Sequence, residues 1–257
     1  MLRFYTMRQF PAKQPGRIQD PRHGSAAVLR AWLVHAYTAS GAVLAFVGAW
    51  AVLHGNERLA LAAMFAATIV DATDGVLARA ARVKEVLPAV DGARIDDIVD
   101  YITFVFLPVL LLEAAGGLRG WPAWPVIAVV LLSSMYGFVA PDAKTEDHFF
   151  TGFPSYWNIV VLYLLLFRVS PEANAAILLG LSALVFVRIG WIYPSRTPTL
   201  QALTLALGSL WTVAVAAIIL QWPSPPRWIA IGSLLFPVYY IVLSLALHFR
   251  RVPAAVR

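Results

Sequence analysis

Asp71-Ala72-Thr73-Asp74-Gly75-Val76-Leu77-Ala78-Arg79, then twelve residues, then Gly92-Ala93-Arg94-Ile95-Asp96-Asp97-Ile98-Val99-Asp100 is the stretch on which the reading of this chain turns. Seven of the 14 acidic residues lie between Asp71 and Asp100, and both ends of the stretch run directly into apolar sequence. A carboxylate at the end of a membrane helix is costly to hold in its charged form unless a cation faces it. Two pairs of such carboxylates point to a divalent metal and mark a functional site.

Outward from this cluster the chain is oily. Of its 257 residues, 60% are hydrophobic and 13% charged, which excludes an ordinary soluble domain. There is no cysteine, so disulfides and thiol chemistry are excluded. Apolar runs predict eight transmembrane helices, at 31–53, 59–79, 92–115, 121–140, 155–169, 171–187, 200–221 and 228–248. Ser170-Pro171-Glu172 reads as an N-cap, a first-turn proline and a first-turn acid, and separates the two shortest spans. The expected fold is therefore all-α and polytopic. Residues 1–30, with Arg3, Arg8, Lys13, Arg17, Arg22 and Arg30, are expected to form a basic cytoplasmic tail and a helix lying at the membrane surface; residues 31–257 are expected to be the transmembrane domain.

The basic residues set the orientation. With the N-terminus inside, sixteen of the 20 lysines and arginines face the cytoplasm; Arg58, Arg119, Arg168 and Arg227 face outward. The acidic cluster then faces the cytoplasm as well. This arrangement accounts for the net charge of +6 without a nucleic-acid partner.

Helical spacing organises the cluster. Asp71 and Asp74 are three apart, and Asp96 and Asp100 are four apart, so each helix end presents two carboxylates on one face. An all-oxygen site suits Mg2+ or Mn2+. Gly75 and Ala78 leave a helix face open to a ligand or a neighbouring backbone. Arg79 is a planar cation suited to phosphate. Together these features suggest phosphoryl transfer. Asp91 and Asp97 fall off the spacing and read as solvated loop residues.

The pattern Asp-x2-Asp-Gly-x2-Ala-Arg, a spacer, and Gly-x3-Asp-x3-Asp resembles the signature of the CDP-alcohol phosphotransferases, matched at Asp71, Asp74, Gly75, Ala78, Arg79, Gly92, Asp96 and Asp100. The twelve-residue spacer and the segment from Lys144 to Asn158 are similar to the phosphatidylcholine synthase branch of that family. The resemblance implies an inner-membrane homodimer that transfers a phosphatidyl group from CDP-diacylglycerol to choline, releasing CMP. It also implies that Asp71, Asp74, Asp96 and Asp100 hold two Mn2+ or Mg2+ ions. Asp100 would act as the base, and Asp71, Gly75, Ala78 and Arg79 would contact CDP.

A trimethylammonium head has no hydrogen-bond donor and is held by aromatic faces and nearby carboxylates. Glu146, Asp147, Tyr156 and Trp157 are the candidates for choline, with Tyr101 beside Asp100 a further one. Lys144, Arg188 and Arg196 keep open an acceptor such as serine, inositol phosphate or glycerol phosphate. A metal-ion transporter is the remaining alternative. It fits poorly, because the acids sit at one end of two helices whose other halves are apolar.

The charge asymmetry makes a direct prediction. Tags at Met1 and Arg257 should both be shielded in intact cells. Labelling of either from outside would mean an odd number of crossings or the reverse orientation.

Overall fold

A stripe of small residues starts the architecture. In the computed structural model, which describes residues 24–120, 122–145, 147 and 149–255, the first helix α1 runs from Ser25 to Leu53. Its buried face is Ala31, His35, Thr38, Gly41, Ala45, Gly48 and Val52, recurring every three or four residues. Between membrane helices the hydrophobic effect offers little, so attraction depends on close approach, which small residues permit. A Cβ on Gly41 would collide with Val99, and one on Gly48 with Leu107. Gly55, with φ of +67°, turns the chain. Asn56 then accepts a hydrogen bond from the Leu59 amide at 3.0 Å and caps α2, Glu57–Ala80.

The spacer that follows is folded. A short helix α3, Val83–Val86, buries Val83, Val86 and Leu87 against Ala31 of α1. Each such side chain contributes roughly 1.5–3 kcal/mol on leaving water. The chain re-enters as α4, Gly92–Asp100, passes through a π-helical segment at Tyr101–Phe106, and continues as α5, Leu107–Ala114.

Helices α6 (Ala123–Val139), α7 (Trp157–Leu166) and α8 (Pro171–Leu184) complete the core around α5. Trp157 is fully buried, and its indole N–H donates to Ser134 at 2.7 Å. Ser170 caps α8 through the Ala173 amide at 3.3 Å, as its sequence indicates. The last elements are α9 (Gln201–Leu220), α10 (Arg227–Ser233) and α11 (Leu235–Ala255).

Helices occupy all eight expected places, and those in the fifth and sixth are short, as their sequence indicates. Among the described residues, four helical stretches are long and apolar enough to cross a membrane: Ser25–Leu53, Glu57–Ala80, Gln201–Leu220 and Arg227–Arg251. The helices Ala123–Val139, Trp157–Leu166 and Pro171–Leu184 are shorter. At 1.5 Å per residue, a ten-residue helix covers only about 15 Å, roughly half the hydrocarbon thickness. The expected tail falls mostly in residues 1–23, outside the described residues. From Ser25 the chain is already the first turn of α1, so residues 25–30 do not form a separate surface helix.

The all-α expectation also misses a ribbon. β1, Phe149–Thr151, pairs antiparallel with β2, Gly190–Ile192, placing Phe150 opposite Trp191. Strands of three residues leave too little alternation to be read from sequence.

Close approach of α1 can be tested by overpacking. Gly41→Leu should lower stability by about 1–3 kcal/mol, read as a lower unfolding temperature in detergent. The same change at Gly180, which has open space around it, should shift that temperature little.

Candidate active site

Helix α2 carries Asp71 and Asp74 towards its C-terminal end, and α4 carries Asp96 and Asp100. The hairpin of α2, α3 and α4 folds these pairs together. Oxygen atoms of Asp71, Asp96 and Asp100 all lie within 4.8 Å of one another. Asp74 is buried and lies within hydrogen-bonding reach of Asp96. The two pairs thus meet as their spacing predicts, with three carboxylates at the centre and Asp74 at the side. Two unit negative charges 4.8 Å apart repel by roughly 3–4 kcal/mol at an effective dielectric constant of 20. An all-oxygen donor set under such repulsion fits a hard divalent cation.

The π-helical segment begins at the residue after Asp100. Such segments are rare and are frequent at functional sites. Within it, the Thr103 hydroxyl donates to the Val99 carbonyl at 2.9 Å. Tyr101 is turned away into the bundle. Its hydroxyl donates to the Leu131 carbonyl at 3.0 Å, and its ring meets Phe138 edge-on.

The acids open onto a cavity of about 560 Å3. Seven of the eight signature positions line it, from Asp71, Asp74, Gly75, Ala78 and Arg79 on α2 to Gly92 and Asp96 on α4. A Cβ on Gly75 would come 3.3 Å from Arg79 Nη1, so the glycine leaves room for the guanidinium. Arg82, Lys84 and Arg196 add positive charge to the same wall. The result is a cavity lined by both carboxylates and cations, a composition suited to metal-bound phosphates.

Several wall residues were not legible in the sequence: His35 and Thr38 come from α1, and Tyr193 and Ser195 from beyond β2, beside Arg196. His35 is 5% exposed, and its Nε2 has no hydrogen-bond partner among the described residues. A buried polar atom without a partner, on the wall of a cavity, is poised for a ligand. Gly92 makes space for this ring, since a Cβ there would sit 2.9 Å from His35 Cε1. Only the three- and four-residue spacing of the small stripe on α1, which includes His35, could have hinted at its inward direction.

The residues expected to meet the acceptor are divided by the structure. Trp157 is a core residue with its N–H already satisfied, so its ring offers no face to a ligand. The expectation placed on it is corrected by its burial. Asp147 is exposed and bound by the Thr145 hydroxyl at 2.6 Å and by Arg251. The Thr145 hydroxyl, with help from Arg251, holds its carboxyl below the usual range. Tyr156 packs its ring edge-on against Tyr240, with centroids 6.2 Å apart, and against Phe150. Glu146 lies outside the described residues. Asp91 pairs with Arg94 at 3.3 Å on the surface, as a solvated residue should.

Comparison with known proteins gives a consistent picture. The sequence profile of the CDP-alcohol phosphatidyltransferase family matches residues 32–193. The phosphatidylcholine synthase of Legionella pneumophila is 36% identical over 222 residues, covering 83% of this chain and 87% of that protein. Its counterpart in Legionella bozemanae is 40% identical over 200 residues, 75% of this chain and 90% of the relative. That of Pseudomonas aeruginosa is 34% identical over 195 residues, 76% and 82% respectively.

The contact between Gly92 and His35 predicts coupling. Gly92→Ala should destabilise the protein, and the loss should shrink in a His35→Ala background. A double-mutant cycle on unfolding free energy should give about 0.5–3 kcal/mol of interaction. Strict additivity would show that the ring yields freely.

Proposed function

The chain belongs to the CDP-alcohol phosphatidyltransferase family, and from that footing we propose that it makes phosphatidylcholine from CDP-diacylglycerol and choline, releasing CMP. The observation that carries this reading is the convergence of Asp71, Asp96 and Asp100 beside a cavity lined by Arg79, Arg82 and Lys84. The names of the curated relatives support choline as the acceptor.

In this reading the signature residues divide the work. Asp71, Asp74, Asp96 and Asp100 would hold two divalent ions, Mn2+ or Mg2+, which would supply charge neutralisation for the pyrophosphate and for the departing CMP. Arg79 binds phosphate oxygens, while Gly75 and Ala78 let the nucleotide approach the backbone of α2. Asp100 accepts the proton of the choline hydroxyl. The hydroxyl oxygen then forms a bond to the phosphorus nearer the lipid, the bond from that phosphorus to CMP breaks, and CMP takes the electron pair. His35 meets the nucleotide from the α1 side of the cavity.

We place the protein in the bacterial inner membrane with the site at the cytoplasmic face. The sixteen-to-four charge asymmetry supports that orientation. A homodimer accords with the family resemblance. A phosphorylated acceptor has less support, because Arg188 is engaged by Asp142 at 2.8 Å. Transport has less still, because the acids form a cluster at one end of two helices rather than a path.

Membrane vesicles supplied with CDP-diacylglycerol, Mn2+ and labelled choline should place the label in lipid. Label entering only from serine, inositol phosphate or glycerol phosphate would reassign the acceptor. Asp71→Asn and Asp96→Asn should each abolish this incorporation while the protein stays folded in detergent. Each change removes a charge the cations need and alters volume little. Near-normal turnover in either variant would sink the two-ion assignment.

A further inference from the structure

The ribbon of β1 and β2 is held in an unusual way. The free edge of β2 is bonded by side chains of α11 rather than by another strand. The Gly190 amide donates to His248 Nδ1 at 3.1 Å, and the Ile192 amide donates to Ser244 Oγ at 3.2 Å. The Tyr240 hydroxyl donates to the Ile192 carbonyl at 3.1 Å. Tyr240, Ser244 and His248 are four residues apart, so they form one stripe that reads the strand edge along its length. Buried backbone groups need partners, and this stripe supplies them. One turn further on, Arg251 lies 3.9 Å over the Phe149 ring and pairs with Asp147 of the β1 approach.

That clamp fixes a group of aromatic rings. Phe150 lies 4.8 Å from Tyr193 and 6.3 Å from Tyr156, and Tyr156 lies 6.2 Å from Tyr240. Tyr193 lines the cavity that holds Asp71 and Asp96. Tyr156 lies behind it, on the other side of the Phe150 ring. The Tyr193 ring already carries one cation, with the Arg196 guanidinium 5.4 Å from its centroid.

We propose that Tyr193 and Tyr156, backed by Phe150, bind the quaternary ammonium head of the acceptor, and that Tyr240, Ser244 and His248 of α11 are the residues that position them. This rests on the functional reading above, since it needs a cationic acceptor. Choline joins its hydroxyl to its ammonium through two carbons, so its cation must lie beside the acidic cluster rather than across the cavity. Tyr193 stands at that border, and Tyr156 adjoins it through Phe150. Their ring faces attract a cation that has no hydrogen to donate. The positioning stripe lies on α11, entirely beyond the family match at residues 32–193. The shared signature thus serves the nucleotide, and the C-terminal helix sets the acceptor.

The test is the KM for each substrate in the vesicle assay. Tyr193→Leu should raise the choline KM roughly two- to thirty-fold and leave that for CDP-diacylglycerol within about twofold. Tyr193→Phe keeps the ring and should stay near wild type. His248→Leu should raise the choline KM in the same selective way. His248→Asn can still accept the Gly190 amide and should recover most of it. 3,3-Dimethyl-1-butanol, which has the shape of choline without its charge, should be a poor acceptor. An unchanged choline KM in Tyr193→Leu, or equal rises for both substrates, would overturn the proposal while leaving the functional reading intact. A wild-type protein that released no CMP on addition of choline would overturn both.

Discussion

Three carboxylates whose oxygens lie within 4.8 Å of one another repel strongly, and the surrounding structure is arranged to hold them there. Two helix ends must converge, so α2 and α4 are joined by a folded spacer whose apolar residues dock on α1. α1 must in turn lie close to α4 and α5, so its inward stripe is Gly and Ala where those helices pass. Bulkier residues there would push α4 outward and spread the acids. The small-residue stripe and the acidic cluster are two parts of one constraint. A bound divalent cation would turn the repulsion into attraction and lock the same geometry.

Both signs of charge meet at that cluster. Asp71, Asp74, Glu85 and Asp96 line the cavity together with Arg79, Arg82, Lys84 and Arg196. Neither sign alone would serve a metal-bound phosphate, which needs anions for the metal and cations for its own oxygens. The spacer contributes Arg82 and Lys84 to this wall while Val83, Val86 and Leu87 anchor it. A connection of alternating charged and apolar residues therefore acts as part of the site rather than as a solvated loop.

The C-terminal helix has a different duty. A strand edge near a membrane cannot be left unbonded, and α11 satisfies β2 with side chains at three successive turns. The ribbon so fixed carries Phe150 and leads directly into Tyr193. In the functional reading proposed, this separates the chemistry common to the family from the choice of acceptor.

How much of this could be read in advance depends on sequence distance. The paired acids and the open face at Gly75 and Ala78 follow from spacings of three or four residues, which the geometry of a helix converts directly into faces, and the helical places and the cap at Ser170 follow from contiguous runs. Local order along the chain was therefore enough for the helices and for the two acidic pairs. It did not reveal that His35 shares a wall with Gly92, that Trp157 is spent in the core on Ser134, or that His248 bonds a strand 58 residues away. Those facts belong to contacts between distant segments, where no local period exists. Only the tertiary structure decided them, because the direction of a side chain is set by its own helix, but what it meets is set by whichever helix packs against that face.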